Sequence, residues 1–161
     1  EVFNAPLFYV HGNHDRPELR ADGRIRLAPE GGQSLEGVVM REHGLLLSGL
    51  GGSRRYHPEG SHQYTEGEMW VRVLRLAPRL IWNRWRYGRA LDVFVAHAPP
   101  RAIGDAPDLA HQGFTAFRWL IQRFRPRYFL HGHVHFYGHR PIFQVGLTQV
   151  INVFPYYLLE L

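Results

Sequence analysis

Residues 92–135 read DVFVAHAPPRAIGDAPDLAHQGFTAFRWLIQRFRPRYFLHGHVH, and this stretch decides the fold. Asp92–Ala96 and Arg127–Leu130 are short β-branched and aromatic runs that read as buried strands. Between them lie an irregular segment, Ala98 to Gln112, and a helix from Gly113 to about Phe124. Two strands joined through a helix run parallel in one sheet, so the chain reads as α/β. Each strand is followed by histidine: His97 before a Pro-Pro pair, then Gly132-His133-Val134-His135. Ligands of an open α/β sheet bind beyond the carboxyl ends of its strands, so these histidines are candidates for one site.

Upstream, Leu7–Val10 reads as a third short strand, and it runs into Gly12-Asn13-His14-Asp15. Arg16–Gln33, rich in Pro, Gly and charge, reads as an irregular loop. Leu35–Arg41 and Leu45–Leu50 flank His43-Gly44 as a β-hairpin, and Gly49-Leu50-Gly51-Gly52-Ser53 reads as a tight, exposed turn. Thr65, with Glu68 three residues on, is a capping box that opens a helix running toward Tyr87. Pro78 is expected to kink or split that helix. Along it Trp70, Leu74, Ile81 and Trp85 form an apolar stripe beside Arg72, Arg75, Arg79 and Arg86, read as a core face with a solvated flank. The tail, Gln149–Phe154 and Tyr156–Leu161, reads as two strands around Pro155.

The 161 residues are 45% hydrophobic, enough for one domain with a real core. There is no cysteine, which excludes disulfides and thiolate ligands and leaves histidine, asparagine and carboxylate as metal donors. All 19 basic residues are arginine and the net charge is +5, read as codon bias, or as an affinity for phosphates that arginine's planar fork suits. No apolar run reaches membrane-spanning length, so no membrane partner is expected and cytoplasm is the default location. Glu1 stands almost directly before a site-bearing strand, which suggests an N-terminally truncated domain over 1–161.

His133 and His135, two apart on a loop opened by Gly132, can address two neighbouring ions, and neutral imidazoles with Asn13 suit borderline divalent cations. The order of these clusters resembles the calcineurin-like metallophosphoesterase family. Its five blocks are Asp-x-His, Gly-Asp-x-x-Asp, Gly-Asn-His-Asp/Glu, a His after a strand, and Gly-His-x-His, of which the last three are present here. The resemblance implies an α/β fold: a partial metallophosphoesterase-type β-sandwich of mixed sheets flanked by helices, in α/β/β/α layers. It implies that Asn13, His97 and His133 hold one metal and that His135 belongs to another. It also implies that His14 protonates the leaving oxygen and contacts the phosphate together with Asn13, with Asp15 positioning His14. Two divalent ions (Mn, Fe, Zn or Ni) would serve the full-length protein, a metal-bridging hydroxide attacking phosphorus.

The first two blocks are absent, so the fragment is expected to be inactive alone. Gly104-Asp105-Ala106-Pro107-Asp108 spells the second block in the wrong place and is set aside as a decoy, while Asp108 and His111 are candidates for the loop over the substrate. His11 and His131 are expected in packing roles, and His43, His57, His62 and His139 on the surface. Arg16, Arg54 and Arg55 could clamp a phosphate. The expected partner is a phosphate-ester substrate, nucleic acid entering only as substrate and oligomeric state left open. The alternative function is a non-catalytic metal-binding or protein-interaction scaffold on the same fold. An arginine-rich nucleic-acid binder would explain the charge but not the histidines.

Overall fold

The computed structural model describes residues 5–15, 18–19, 25–26, 31–137 and 142–160; Arg16, His139 and most of the 16–30 segment lie outside them. Strands β1 (Leu7–Tyr9), β2 (Glu18–Leu19), β3 (Ile25–Arg26), β4 (Gly32–Ser34), β5 (Val39–Glu42), β6 (Leu45–Leu50), β7 (Ser53–Arg54) and β8 (Gln63–Tyr64) precede helix α1 (Glu66–Tyr87). Then follow β9 (Val93–Ala96), α2 (Thr115–Phe124), β10 (Tyr128–His131), β11 (Ile142–Val145) and β12 (Thr148–Asn152).

Six strands form one mixed sheet in the order β11-β12-β10-β9-β6-β5. Its four central strands, β12, β10, β9 and β6, are parallel, and antiparallel hairpin partners close both edges. β5 and β6 turn at His43-Gly44, both at positive φ, as a two-residue hairpin demands. Period-two alternation splits the strands between two cores. Phe94, Ala96 and Phe129 face α1 and α2, whereas Val93, Tyr128 and Ile151 face the opposite side with Leu35, Phe8 and Val10. On that second side β1 pairs in parallel with β4. Of the four layers expected, the described residues thus supply helices, a mixed sheet and a short piece of the second β layer.

The capping box forms as read: Thr65 Oγ1 accepts from Glu68 N at 3.2 Å and Glu68 Oε2 accepts from Thr65 N at 2.7 Å. Pro78, however, lies inside one continuous 22-residue helix and does not split it. The buried face of α1 is Met69, Val73, Leu76, Leu80 and Asn83, not the Trp70–Trp85 stripe, of which Leu74, Ile81 and Trp85 are exposed. α1 carries two apolar stripes, and periodicity cannot say which meets the sheet. Side chains that pin the helix set its roll. Arg72 bonds Glu36 and the Gly51 carbonyl, Arg84 bonds the Arg123 carbonyl and Asn83 the Ala90 carbonyl.

The glycine-rich 49–53 segment is buried rather than an exposed turn. Gly52 N donates to His11 O at 2.7 Å and Gly51 N to Glu36 Oε2 at 2.6 Å, and a Cβ on Gly51 would stand 2.3 Å from His11 O. These glycines let two backbones touch. The tail also differs: β11 and β12 form a hairpin across Gly146-Leu147, and no strand follows Pro155 among the described residues.

The two glycines Gly51 and Gly67 therefore predict opposite outcomes. Gly51→Ala lowers unfolding free energy by about 3 kcal/mol, because the backbones must part. Gly67→Ala, where a Cβ meets nothing within 4 Å in the first turns of α1, raises it by about 0.5–1 kcal/mol. Urea denaturation of both variants checks the pair.

Candidate active site

Three loops at the carboxyl edge of the sheets build the site. After β1, Gly12–Asp15 closes a turn in which Gly12 N donates to Asp15 Oδ2 at 2.7 Å and Asp15 N to Gly12 O at 3.4 Å. Its glycine is needed for close approach, since a Cβ there would stand 3.0 Å from His97 Cε1. After β9 comes His97. After β10, Gly132 N donates to His97 O at 3.1 Å and Val134 N to Gly132 O at 2.8 Å, a three-residue turn around His133 at φ 66. Buried Asn152, from β12, holds this turn by donating to Val134 O at 2.8 Å.

These turns bring Asn13, His97 and His133 together. His97 Nε2 lies 2.8 Å from Asn13 Oδ1 and 3.0 Å from His133 Nδ1. The Ala110 carbonyl accepts from His133 Nε2 at 2.7 Å, so the neutral ring carries its proton there and turns the Nδ1 lone pair toward His97. Asn13 Nδ2 donates to the Tyr56 hydroxyl at 3.0 Å, which turns its oxygen inward. Burial, with His133 next, holds the His97 pKa down at about 4, and burial also lowers that of His133. Both rings are therefore neutral near pH 7, as ligation requires.

The donor set fits a divalent cation. Two donors each about 2.1 Å from one ion, at right angles, are about 3 Å apart, the spacing that separates His97 Nε2 from its two neighbours. Among the described residues no three His, Cys, Asp or Glu side chains cluster as a metal site; here the third donor is an asparagine. His135 is not in the group. It is exposed and stacks on Phe154 at 4.0 Å.

His14 is exposed and lines a cavity of about 520 Å³ with Asn13, Tyr56, His57 and Ser61. Asp15 is spent on Gly12, and no hydrogen bond joins it to His14 among the described residues. Tyr56 and His57 were not singled out by any sequence motif. Their loop is shaped by Gln63, whose Oε1 accepts from both of their backbone N–H groups at 3.1 and 3.0 Å; a buried glutamine after a Gly-Ser pair is the only trace of it in the sequence.

Other candidates find different partners. Arg54 pairs with Glu66 at 2.7 Å and Arg55 with Glu68 at 2.9 Å, so both serve the start of α1 and neither is free to clamp phosphate. Asp105 accepts from Arg101 and from Gly113 N, each at 3.1 Å, which makes the decoy motif a loop brace. Asp108 bonds His111 at 2.8 Å, and the His111 ring sits 5.0 Å from that of His133, so this loop does reach the site. His62 stacks on His11 at 4.9 Å, and His131 is fully buried.

A family model described as calcineurin-like phosphoesterase matches residues 1–137. Among solved structures, one of TT1561 from Thermus thermophilus is 20% identical, covering 74% of this chain and 48% of its own, with a TM-score of 0.49. A second, 19% identical, covers 91% of this chain and 56% of its own with a TM-score of 0.54, a likeness of fold. The chain spans about half the length of these structures. No curated protein matches it.

The buried histidines predict acid lability. His97 and His131 are both held at about 4, chiefly by burial, while an unfolded histidine titrates near ~6.5. The unfolded chain binds more protons between these values, so stability is complete above about pH 6.5 and falls on acidification toward pH 4. Urea midpoints measured from pH 7.5 to 4.5 decline, and His131→Asn shallows the decline.

Proposed function

The chain belongs to the calcineurin-like phosphoesterase family, and from that premise we propose that it supplies part of the site of a metal-dependent phosphoesterase acting on a phosphate mono- or diester. The observation that carries this reading is the meeting of Asn13 Oδ1 and His133 Nδ1 at His97 Nε2, beside a cavity lined by His14. Asn13, His97 and His133 would hold one divalent ion, and His135 would serve a second together with donors from the two blocks this chain lacks. Such ions supply Lewis-acid polarisation of the phosphoryl oxygen and offset the charge that grows in the transition state.

The chain's own groups do the rest. Asn13, held by Tyr56, and His14 face the cavity in which the ester would lie. Hydrolysis breaks the P–O bond to the leaving group and puts a water oxygen in its place. His14 donates the proton that the departing oxygen needs, and its exposure lets solvent reprotonate it. His111 and the Ala110 carbonyl lie against His133, so the 105–113 loop bears on substrate choice. Because carboxylate donors are missing from the group, this chain alone binds one ion and turns over little.

Titration calorimetry with Mn²⁺ tests the ligand set: one site of modest affinity is expected, lost in His97→Ala, and two tight sites would contradict the reading. In a protein carrying all five blocks, His14→Ala lowers kcat about 10²–10⁴-fold on an alkyl phosphate ester. On an aryl ester with an acidic phenol the loss is smaller, because that leaving group departs without a proton. Equal losses on both substrates would remove His14 from the acid role.

A further inference from the structure

The outer face of the helical layer is built unlike an ordinary solvated surface. Val71, Leu74, Ile81, Trp82 and Trp85 form the second stripe of α1, and nothing among the described residues covers it. Trp85 is 75% exposed and its ring lies 4.9 Å from that of Trp82. Single exposed apolar residues are normal, but a contiguous stripe over about four turns marks an interaction surface. Exposed Arg75, Arg79 and Arg86 run along one side of it.

Among the described residues no carboxylate pairs with these cations. The sequence has no acidic residue between Glu68 and Asp92, and none between Asp108 and Glu160. The acids of the first turn of α1 are already used, Glu66 by Arg54 and the Ala116 N–H, Glu68 by Arg55 and Thr65.

A second observation lies where the two helices end. A cavity of about 540 Å³ is lined by Arg84, Arg89, Arg123 and Arg125, with Leu147 at its rim, 73% exposed. One carboxylate, Asp92, pairs with Arg89 at 2.6 Å; the other three arginines have no acidic partner among the described residues. The cavity sits at the amino ends of β9 and β12, the opposite sheet edge from His97 and His133.

We propose that this face docks on an anionic phospholipid bilayer, Trp82, Trp85 and Leu147 entering the interface and the arginine cavity receiving a headgroup phosphate. Tryptophan favours the boundary where one side is apolar and the other wet. Arginine offers a planar fork to phosphate while its stem lies along apolar surface, and each cation near an anionic leaflet adds to binding. A second copy packed through the same face fits worse, since it would set Arg75, Arg79 and Arg86 against like charges on a helix with no acidic residue after Glu68. The docking is peripheral, because among the described residues no helix is long and apolar enough to cross a membrane. It revises the expectation of no membrane partner and uses no residue of the hydrolytic site.

Co-sedimentation of the full chain with phosphatidylcholine vesicles, with and without a quarter phosphatidylglycerol, tests it, tryptophan emission being read in parallel. Binding to the anionic vesicles only is expected, with a blue shift of emission and release at high salt. Trp82→Ser with Trp85→Ser weakens binding at least tenfold and abolishes the shift, while Arg123→Gln and Arg125→Gln each weaken it about fivefold. All four positions are exposed, and circular dichroism verifies that the variants fold. Equal binding to neutral vesicles, or no vesicle binding, overturns the proposal. So does a dimer in size-exclusion chromatography that the tryptophan variant dissociates, or capture of soluble tripolyphosphate without capture of vesicles.

Discussion

The contact between two backbones, His11 on one side and Gly51-Gly52 on the other, is the constraint on which the rest of the molecule hangs. It joins the short β1–β4 layer to the end of β6 with a hydrogen bond of 2.7 Å, at a separation that no side chain would tolerate. Glu36 ties the same spot to the third layer. One of its oxygens takes the Gly51 N–H and the other takes Arg72 of α1, so helix, sheet and second layer are locked at one point behind the site. Asn13 lies two residues beyond His11. That lock sets Asn13 where its oxygen meets His97 Nε2 at 2.8 Å.

The electrostatics of the site follow from the same closeness. Packing removes water from His97 and His133, which penalises the imidazolium form and leaves two neutral rings with nitrogen facing nitrogen. With its proton on Nε2, the neutral His97 ring faces two acceptors, Asn13 Oδ1 at 2.8 Å and His133 Nδ1 at 3.0 Å. The protein prepares this from outside the group. The Ala110 carbonyl selects a tautomer and the Tyr56 hydroxyl selects an amide orientation.

Much of this was legible in the chain because local patterns with a mechanism behind them held. The β9–α2–β10 unit announced itself by apolar runs of the right lengths, the capping box by a threonine and a glutamate, and the site loops by histidines directly after strands. What stayed hidden depended on tertiary choice. Two stripes of α1 were equally apolar, and only the anchors of Arg72, Asn83 and Arg84 decide which one faces the sheet. Gly49–Gly52 signalled freedom of backbone, but glycine serves a turn and a close approach alike. The Ile142–Val145 strand is mostly exposed, so it lacks a buried face to betray it, although Gly146 at φ 60 marks its turn. Tyr56 acts through a single hydroxyl across forty-three residues, a contact no spacing rule reports.

His133 keeps a backbone conformation that a side-chain-bearing residue adopts reluctantly, at φ 66. A residue held against its own preference stays only while its surroundings insist, and here they include the backbone bonds from Gly132 to His97 and from Val134 to Gly132, the bond from Asn152 to Val134, and the ring's own bonds to Ala110 and His97. If that corner opens, the chain relaxes to an ordinary twist and swings the imidazole out, while Phe94, Phe117 and Phe129 remain packed beneath the helices. Local opening of this kind costs less than global unfolding. Opening of this corner alone would thus part His133 from His97 and Asn13 while the layers beneath stay assembled.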